Sequence, residues 1–158
     1  MTRRDWLALT FCVGTCLLVG ALGGLATSSS VRDWYPTLNK PSFNPPAWVF
    51  GPVWTTLYIL MGVSAFLVWR RRQLDPRWKP ASVALLVQLL LNAAWSPAFF
   101  GLRSPEAGLA VIVPLWLAIV VTIVLQRRVS TLSAALLLPY LAWVSFATVL
   151  NLSLVRLN

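Results

Sequence analysis

The chain has 158 residues, one domain's worth, of which 58% are hydrophobic and only 11% charged. A soluble domain carries about 25% charge, so this composition excludes a water-clothed globule and makes lipid the natural solvent. The net charge of +9 would suit nucleic acid. The cations, however, fall in short clusters between apolar runs rather than on one soluble face, which excludes that partner.

A membrane span needs about 20 mostly apolar residues. Five segments qualify: 6–26, 47–69, 80–102, 107–125 and 132–155. They predict an all-α integral membrane protein, a five-transmembrane-helix bundle occupying residues 1–158 as a single domain. Charged and proline-rich breaks set the ends, because helices in lipid are apolar all round.

The first span opens on Thr2-Arg3-Arg4-Asp5-Trp6-Leu7, which has the look of a weak twin-arginine signal. Its apolar run exceeds the roughly 7–15 residues of a signal-peptide core, so it reads as a retained helix. Cys12 and Cys16 stand one turn apart on one side of it, a poor geometry for pairing with each other. Gly20 and Gly24 form a small-xxx-small pair, a candidate for close helix contact within the monomer.

The longest loop, 27–46, ends in Lys40-Pro41-Ser42-Phe43-Asn44-Pro45-Pro46-Ala47-Trp48. Its prolines fix φ and exclude regular helix until Ala47, and Pro45-Pro46 stands where a helix start tolerates proline. A stiff aromatic loop over a bundle mouth is expected to act as a lid, with Arg32, Lys40, Pro41, Pro45 and Pro46 at that mouth. The plain alternative is a simple helix start.

In the third span Gln88, Asn92, Trp95, Ser96 and Phe99 share one stripe. Amides in lipid need partners, so the stripe is either an inter-helix hydrogen-bonding seam or a pocket wall with polar handles among aromatics. In the fifth span Tyr140, Trp143, Ala147 and Leu150 or Asn151 form a similar stripe. Small alanines beside large rings leave room for a flat ligand or for close helix packing.

Counting Lys and Arg between spans sets the orientation. With the N-terminus inside, Arg3, Arg4, Arg70, Arg71, Arg72, Arg77, Lys79, Arg127 and Arg128 are cytoplasmic. Arg32, Lys40, Arg103 and Arg156 lie outside. The expectation is therefore a cytoplasmic N-terminus and an outside C-terminus, in a bacterial inner membrane or, as the alternative, an organelle membrane.

No Asp, Glu, Lys or Arg lies mid-span and the chain has no His. Intramembrane ionisable groups mark proton relays and ion paths, so a proton-coupled pump and a buried acid/base enzyme are disfavoured. No metal cluster or required cofactor is expected. Tryptophan is abundant instead, with nine residues. Trp6, Trp34, Trp69 and Trp78 suit an interfacial belt. Trp54, Trp95, Trp116 and Trp143 fall within spans, where indoles pack between helices or line a cavity.

Three stretches are distinctive. The first is Trp34-Tyr35-x-x-Leu38-x-Lys40-Pro41-x-x-x-Pro45-Pro46-x-Trp48-Val49-x-Gly51-Pro52-Val53-Trp54-x-x-Leu57-Tyr58. The second is Gln88-x-x-x-Asn92-x-x-Trp95-x-Pro97-x-Phe99-Phe100-Gly101. The third is Pro139-Tyr140-Leu141-Ala142-Trp143-x-x-Phe146-Ala147-Thr148-x-Leu150-Asn151. Together they resemble the TspO/MBR family, the tryptophan-rich sensory proteins and the mitochondrial translocator protein (peripheral benzodiazepine receptor). The resemblance covers nearly the whole chain.

That resemblance implies a homodimeric five-helix bundle with a pocket closed by the first loop. It implies porphyrin or haem as ligand, and in some members cholesterol or drugs of the benzodiazepine-receptor class. The matching pocket positions are Tyr35, Trp48, Trp54, Tyr58, Gln88, Asn92, Trp95, Tyr140, Trp143 and Ala147. Some members degrade protoporphyrin in light through two tryptophans that match Trp54 and Trp143. The animal sterol pattern is broken here, because Leu152 stands where a Tyr would precede Arg156, which argues against a sterol ligand. Without His, an iron porphyrin lacks its commonest axial ligand, although Cys12, Cys16, Met61 or a Tyr could serve. A metal-free ring held between indoles suits the sequence better, with Arg32 or Lys40 pairing its propionates.

The leading expectation is a membrane receptor or carrier for tetrapyrroles and related flat apolar ligands. The alternatives are a light-dependent porphyrin-degrading enzyme, a transporter of small apolar solutes, and a membrane scaffold.

Overall fold

The computed structural model describes residues 1–158. Its helices are α1 (Arg3–Asp33), α2 (Ala47–Arg70), α3 (Trp78–Ser96), α4 (Pro105–Arg127), α5 (Thr131–Ala135) and α6 (Leu138–Leu157), with no strand. The short α5 and α6 together make one span, Thr131–Leu157, and five segments are long and apolar enough to cross a membrane. The protein is an all-α integral membrane protein.

The first helix is longer at both ends than hydropathy predicts. At its start, the Asp5 N–H donates to Thr2 Oγ1 (3.3 Å) and the Thr2 N–H donates to Asp5 Oδ2 (2.9 Å). This reciprocal cap satisfies amides that the first turn would otherwise leave open. At its end, the Thr27 hydroxyl donates to the Gly23 carbonyl (2.8 Å) and the Ser28 hydroxyl to the Leu25 carbonyl (3.0 Å). Back-bonding of this kind lets a hydroxyl-rich stretch remain helical in apolar surroundings. The helix stops before Pro36, which has no N–H to offer the Arg32 carbonyl. The lid is therefore 34–46 rather than 27–46, and Tyr35–Thr37 form a single 3-10 turn within it.

The end of α3 widens into a π-helical turn, Pro97–Gly101. Pro97 cannot donate and its ring displaces the preceding carbonyl, so the bonding register shifts. The Leu102 N–H reaches the Pro97 carbonyl (3.0 Å) and the Ser104 N–H reaches that of Phe99 (3.1 Å). Arg103 then takes a left-handed φ of 51°, and the Ser104 hydroxyl caps α4 by accepting from the Ala107 N–H (3.1 Å). This widened turn swings Phe99 and Phe100 inward, where Phe99 becomes core.

The helices pack in two groups. α1 lies along α2, while α4 lies between α3 and α6 and also holds α5. The backbones of α1 and α2 approach closely at Gly62, where an added Cβ would stand 2.5 Å from Val13 Cα. Of the small-xxx-small pair, Gly20 makes a close contact with α2 by receiving the ring of Tyr58, whereas Gly24 faces open space.

The lid and the C-terminus share one end of the bundle. The Asn39 N–H donates to Asn158 Oδ1 (2.9 Å), and Asn158 Nδ2 donates back to the Asn39 carbonyl (3.1 Å). At the opposite end Ser64 is a buried polar node between α2, α4 and α5. Its Oγ lies 2.6 Å from Gln126 Oε1 and 2.9 Å from the Ser133 carbonyl.

Candidate functional site

α6 packs against α4 and has no extensive backbone packing with α1 or α2. The seam between these elements holds a cavity of about 1100 Å³. Its walls follow helical stripes. On α2 the stripe is Phe50, Trp54 and Tyr58, on α3 Asn92 and Trp95, and on α6 Trp143 and Ala147.

The floor is a hydrogen-bonded layer. The Tyr58 hydroxyl donates to Asn92 Oδ1 (2.6 Å), and Asn92 Nδ2 donates to the Tyr140 hydroxyl (3.0 Å). One amide thus joins α2, α3 and α6 and satisfies polar groups that lipid and core would leave stranded. Trp54 lies tilted against Tyr58 (5.7 Å between centroids) and edge-on to Tyr140 (6.3 Å). Trp95 Nε1 donates to Asn151 Oδ1 (3.4 Å), and Asn151 Nδ2 to the Pro105 carbonyl (2.6 Å). Gly108 permits this approach, since a Cβ there would meet both Phe99 and Asn151.

The roof is the lid. The Tyr35 hydroxyl donates to Asn44 Oδ1 (2.7 Å), and Asn44 Nδ2 donates to the Pro45 carbonyl (3.1 Å). The Lys40 ammonium donates to the Pro36 and Leu38 carbonyls (3.1 and 3.2 Å) and sits 5.0 Å over the Tyr35 ring. Tyr35 packs edge-on to Phe100 (5.8 Å), and its burial pushes the phenol pKa up. The lid is thus braced internally and seated on the aromatic turn that follows α3.

No Asp or Glu lines the cavity. Its only cations are Arg32 and Lys40, with Pro45 and Pro46 beside them at the mouth. The chain contains no grouping of three or more Cys, Asp or Glu able to hold a metal ion.

Four expected pocket or mouth residues lie elsewhere. Trp48 is 75% exposed, because it falls off the 50–54–58 stripe of α2 and points away from the bundle. Gln88 and Tyr140 are 1% and 0% exposed and do not line the cavity. Tyr140 belongs to the floor layer, and Gln88 lies beside Met61, with Nε2 3.7 Å from Met61 Sδ. Pro41 is half-buried in the lid but does not reach the cavity. Trp116 packs, donating from Nε1 to Ser145 Oγ (2.8 Å).

Phe50 and Asn44 are among the lining residues that the sequence does not single out. Phe50 stands four residues before Trp54 on the same stripe, a spacing that could have marked it. Asn44 carries no such signal, because only the fold of the lid turns it inward. Trp143 has a further distinction. It also lines a shallower groove on the other side, between α2 and α6, and its buried Nε1 has no acceptor.

The TspO/MBR family model matches residues 12–157. The tryptophan-rich protein TspO of Chlorobaculum tepidum is 45% identical, with 99% of each chain covered. Protein CrtK of Rhodobacter capsulatus is 39% identical, covering 90% of this chain and 88% of its own length. The human translocator protein is 45% identical over 79% of this chain and 75% of its own. A match over nearly the full length, joined to five membrane-spanning segments and an indole-lined cavity among them, makes this chain a member of the TspO/MBR family.

Proposed function

We propose that this protein is a membrane receptor or carrier for porphyrin-type tetrapyrroles, bound in the cavity beneath the lid. The observation that supports this most is the cavity itself. Three indoles, Trp54, Trp95 and Trp143, stand around about 1100 Å³ with no acid on the wall. Small-ligand pockets usually measure about 300–1,000 Å³, so this one suits a large flat ring. Indole faces supply stacking area, and Arg32 and Lys40 at the mouth could pair two carboxylates at the edge of the ring.

An iron-free ring fits better than haem. Cys12, Cys16 and Met61 are off the cavity wall, and the hydroxyls of Tyr35 and Tyr58 are engaged with Asn44 and Asn92. Family membership supports the receptor role, and on the same grounds a homodimer in a bacterial inner membrane is part of the reading.

A second reading is light-dependent degradation of the bound porphyrin. Trp54 and Trp143 lie on the same cavity wall system, next to where an excited ring would sit. One experiment separates the two. Protoporphyrin IX is titrated in the dark against tryptophan fluorescence in detergent, then the complex is illuminated, for wild type, Trp54→Phe and Trp143→Phe. Saturable dark quenching supports binding. A light-driven spectral change lost in both variants adds the enzyme. Absence of saturable quenching sinks both readings and turns attention to apolar-solute flux in liposomes.

A further inference from the structure

At the end of the bundle opposite the lid, cations greatly outnumber acids. Only two acids lie there, and both are engaged. Asp5 caps α1. Asp75 is held by Arg77 at 2.8 Å, which keeps its carboxyl below the usual carboxylate range. The remaining arginines form no ion pair.

Two of them converge on one ring. Arg72, which follows α2, lays its guanidinium 3.6 Å from the centroid of Trp69 and donates to the Trp69 carbonyl (3.1 Å). Arg4, from the first turn of α1, approaches the same indole at 6.0 Å. The two guanidinium carbons are therefore no more than about 10 Å apart, within roughly one Debye length, and neither forms an ion pair with a carboxylate. Asp5, the acid beside Arg4, is committed to the cap of α1, so an anion from outside the chain would supply the counter-charge that this pair lacks.

The setting identifies the kind of anion. Trp69 is in the last turn of α2, flanked by Phe66 at 6.1 Å, at the depth where indoles mark the membrane interface. Directly along α1 from Arg4, Leu7 and Phe11 are 64% and 75% exposed, offering an apolar track for an acyl chain. We infer that Arg4, Trp69 and Arg72 form a binding site for the phosphate of an anionic glycerophospholipid, with its chains lying along the outer face of α1. The planar guanidinium fork suits phosphate oxygens, and the indole presets the Arg72 fork by stacking. Arg127 and Arg128, at the same end of the bundle, lie over no aromatic ring and serve as the control.

The full-length protein in neutral detergent is titrated with phosphatidylglycerol, phosphatidylcholine or inorganic phosphate, and its melting temperature is followed. A ligand that binds only the folded state must raise it. Native mass spectrometry then counts retained lipid. Phosphatidylglycerol should raise the melting temperature saturably, with one tightly held lipid per chain. The Arg4→Gln/Arg72→Gln variant should bind it about tenfold more weakly or worse, while Arg127→Gln/Arg128→Gln should bind like wild type. Arg4→Lys/Arg72→Lys keeps the charge and guards against loss of fold. It should retain only part of the affinity, because it lacks the stacked fork. Equal losses in both Gln pairs would mean a diffuse charge field and overturn the site. So would an equal response to phosphatidylcholine, or a full response to inorganic phosphate alone.

Discussion

Asn92 is the most consequential side chain in the cavity floor. Replacing it with Leu removes the acceptor of the Tyr58 hydroxyl (2.6 Å) and the donor to the Tyr140 hydroxyl (3.0 Å) at once. Each hydroxyl is then a buried polar group without this partner, at about 1–3 kcal/mol apiece. Helix–helix hydrogen bonds in membranes average only about 0.6 kcal/mol, which pulls the expectation to the lower part of that range. Asn92→Leu should therefore destabilise the fold by about 2–4 kcal/mol. Tyr58→Phe alone should lose about 1 kcal/mol. The triple replacement Tyr58→Phe/Asn92→Leu/Tyr140→Phe removes every member of the layer and leaves nothing stranded, so it should recover at least half of the Asn92→Leu loss. The assay is equilibrium unfolding in mixed dodecyl maltoside and dodecyl sulfate micelles. A triple variant no more stable than Asn92→Leu would refute the idea that unsatisfied hydroxyls dominate, and would point to lost packing volume instead.

Other outcomes follow from the same geometry. Gly62→Ala should destabilise by about 1–3 kcal/mol in that unfolding assay, because the added methyl meets the Val13 backbone, which cannot swing aside. Gly14→Ala, where an added Cβ meets nothing within 4 Å, should be neutral or slightly stabilising. In the fluorescence titration, Phe50→Ala should weaken porphyrin binding by about tenfold through loss of its edge contact to Trp143 (5.9 Å). Trp48→Phe, outside the cavity, should leave the affinity unchanged. Arg32→Gln/Lys40→Gln should weaken protoporphyrin IX binding by roughly 2–30-fold, the worth of two solvent-facing ion pairs. It should leave the porphyrin dimethyl ester unaffected, and a loss shared by the ester would show that the cations shape the lid rather than read carboxylates.

Much of this protein is legible from composition and order alone. Five apolar runs between charged breaks determine five spans, because unpaired backbone in lipid forces helix and because hydropathy needs no partner to be read. The aromatic and amide stripes on the third and fifth spans were likewise visible, since a straight helix fixes which residues share a face. Local hydrogen bonding escaped hydropathy. Thr27 and Ser28 look like loop, yet their back-bonds carry α1 to Asp33.

Depth and partner choice required the tertiary structure. Gln88 and Asn92 lie on one stripe of one helix, but only the packing of α2 and α6 places Asn92 in the floor and Gln88 off the cavity wall. Gly20 and Gly24 carry the familiar small-residue spacing, yet only Gly20 meets α2, at the Tyr58 ring, and the backbones approach at Gly62, opposite Val13. Spacing states which side chains share a face. It cannot state which neighbour that face meets, because the neighbour's rotation and height are fixed by contacts distant in the chain.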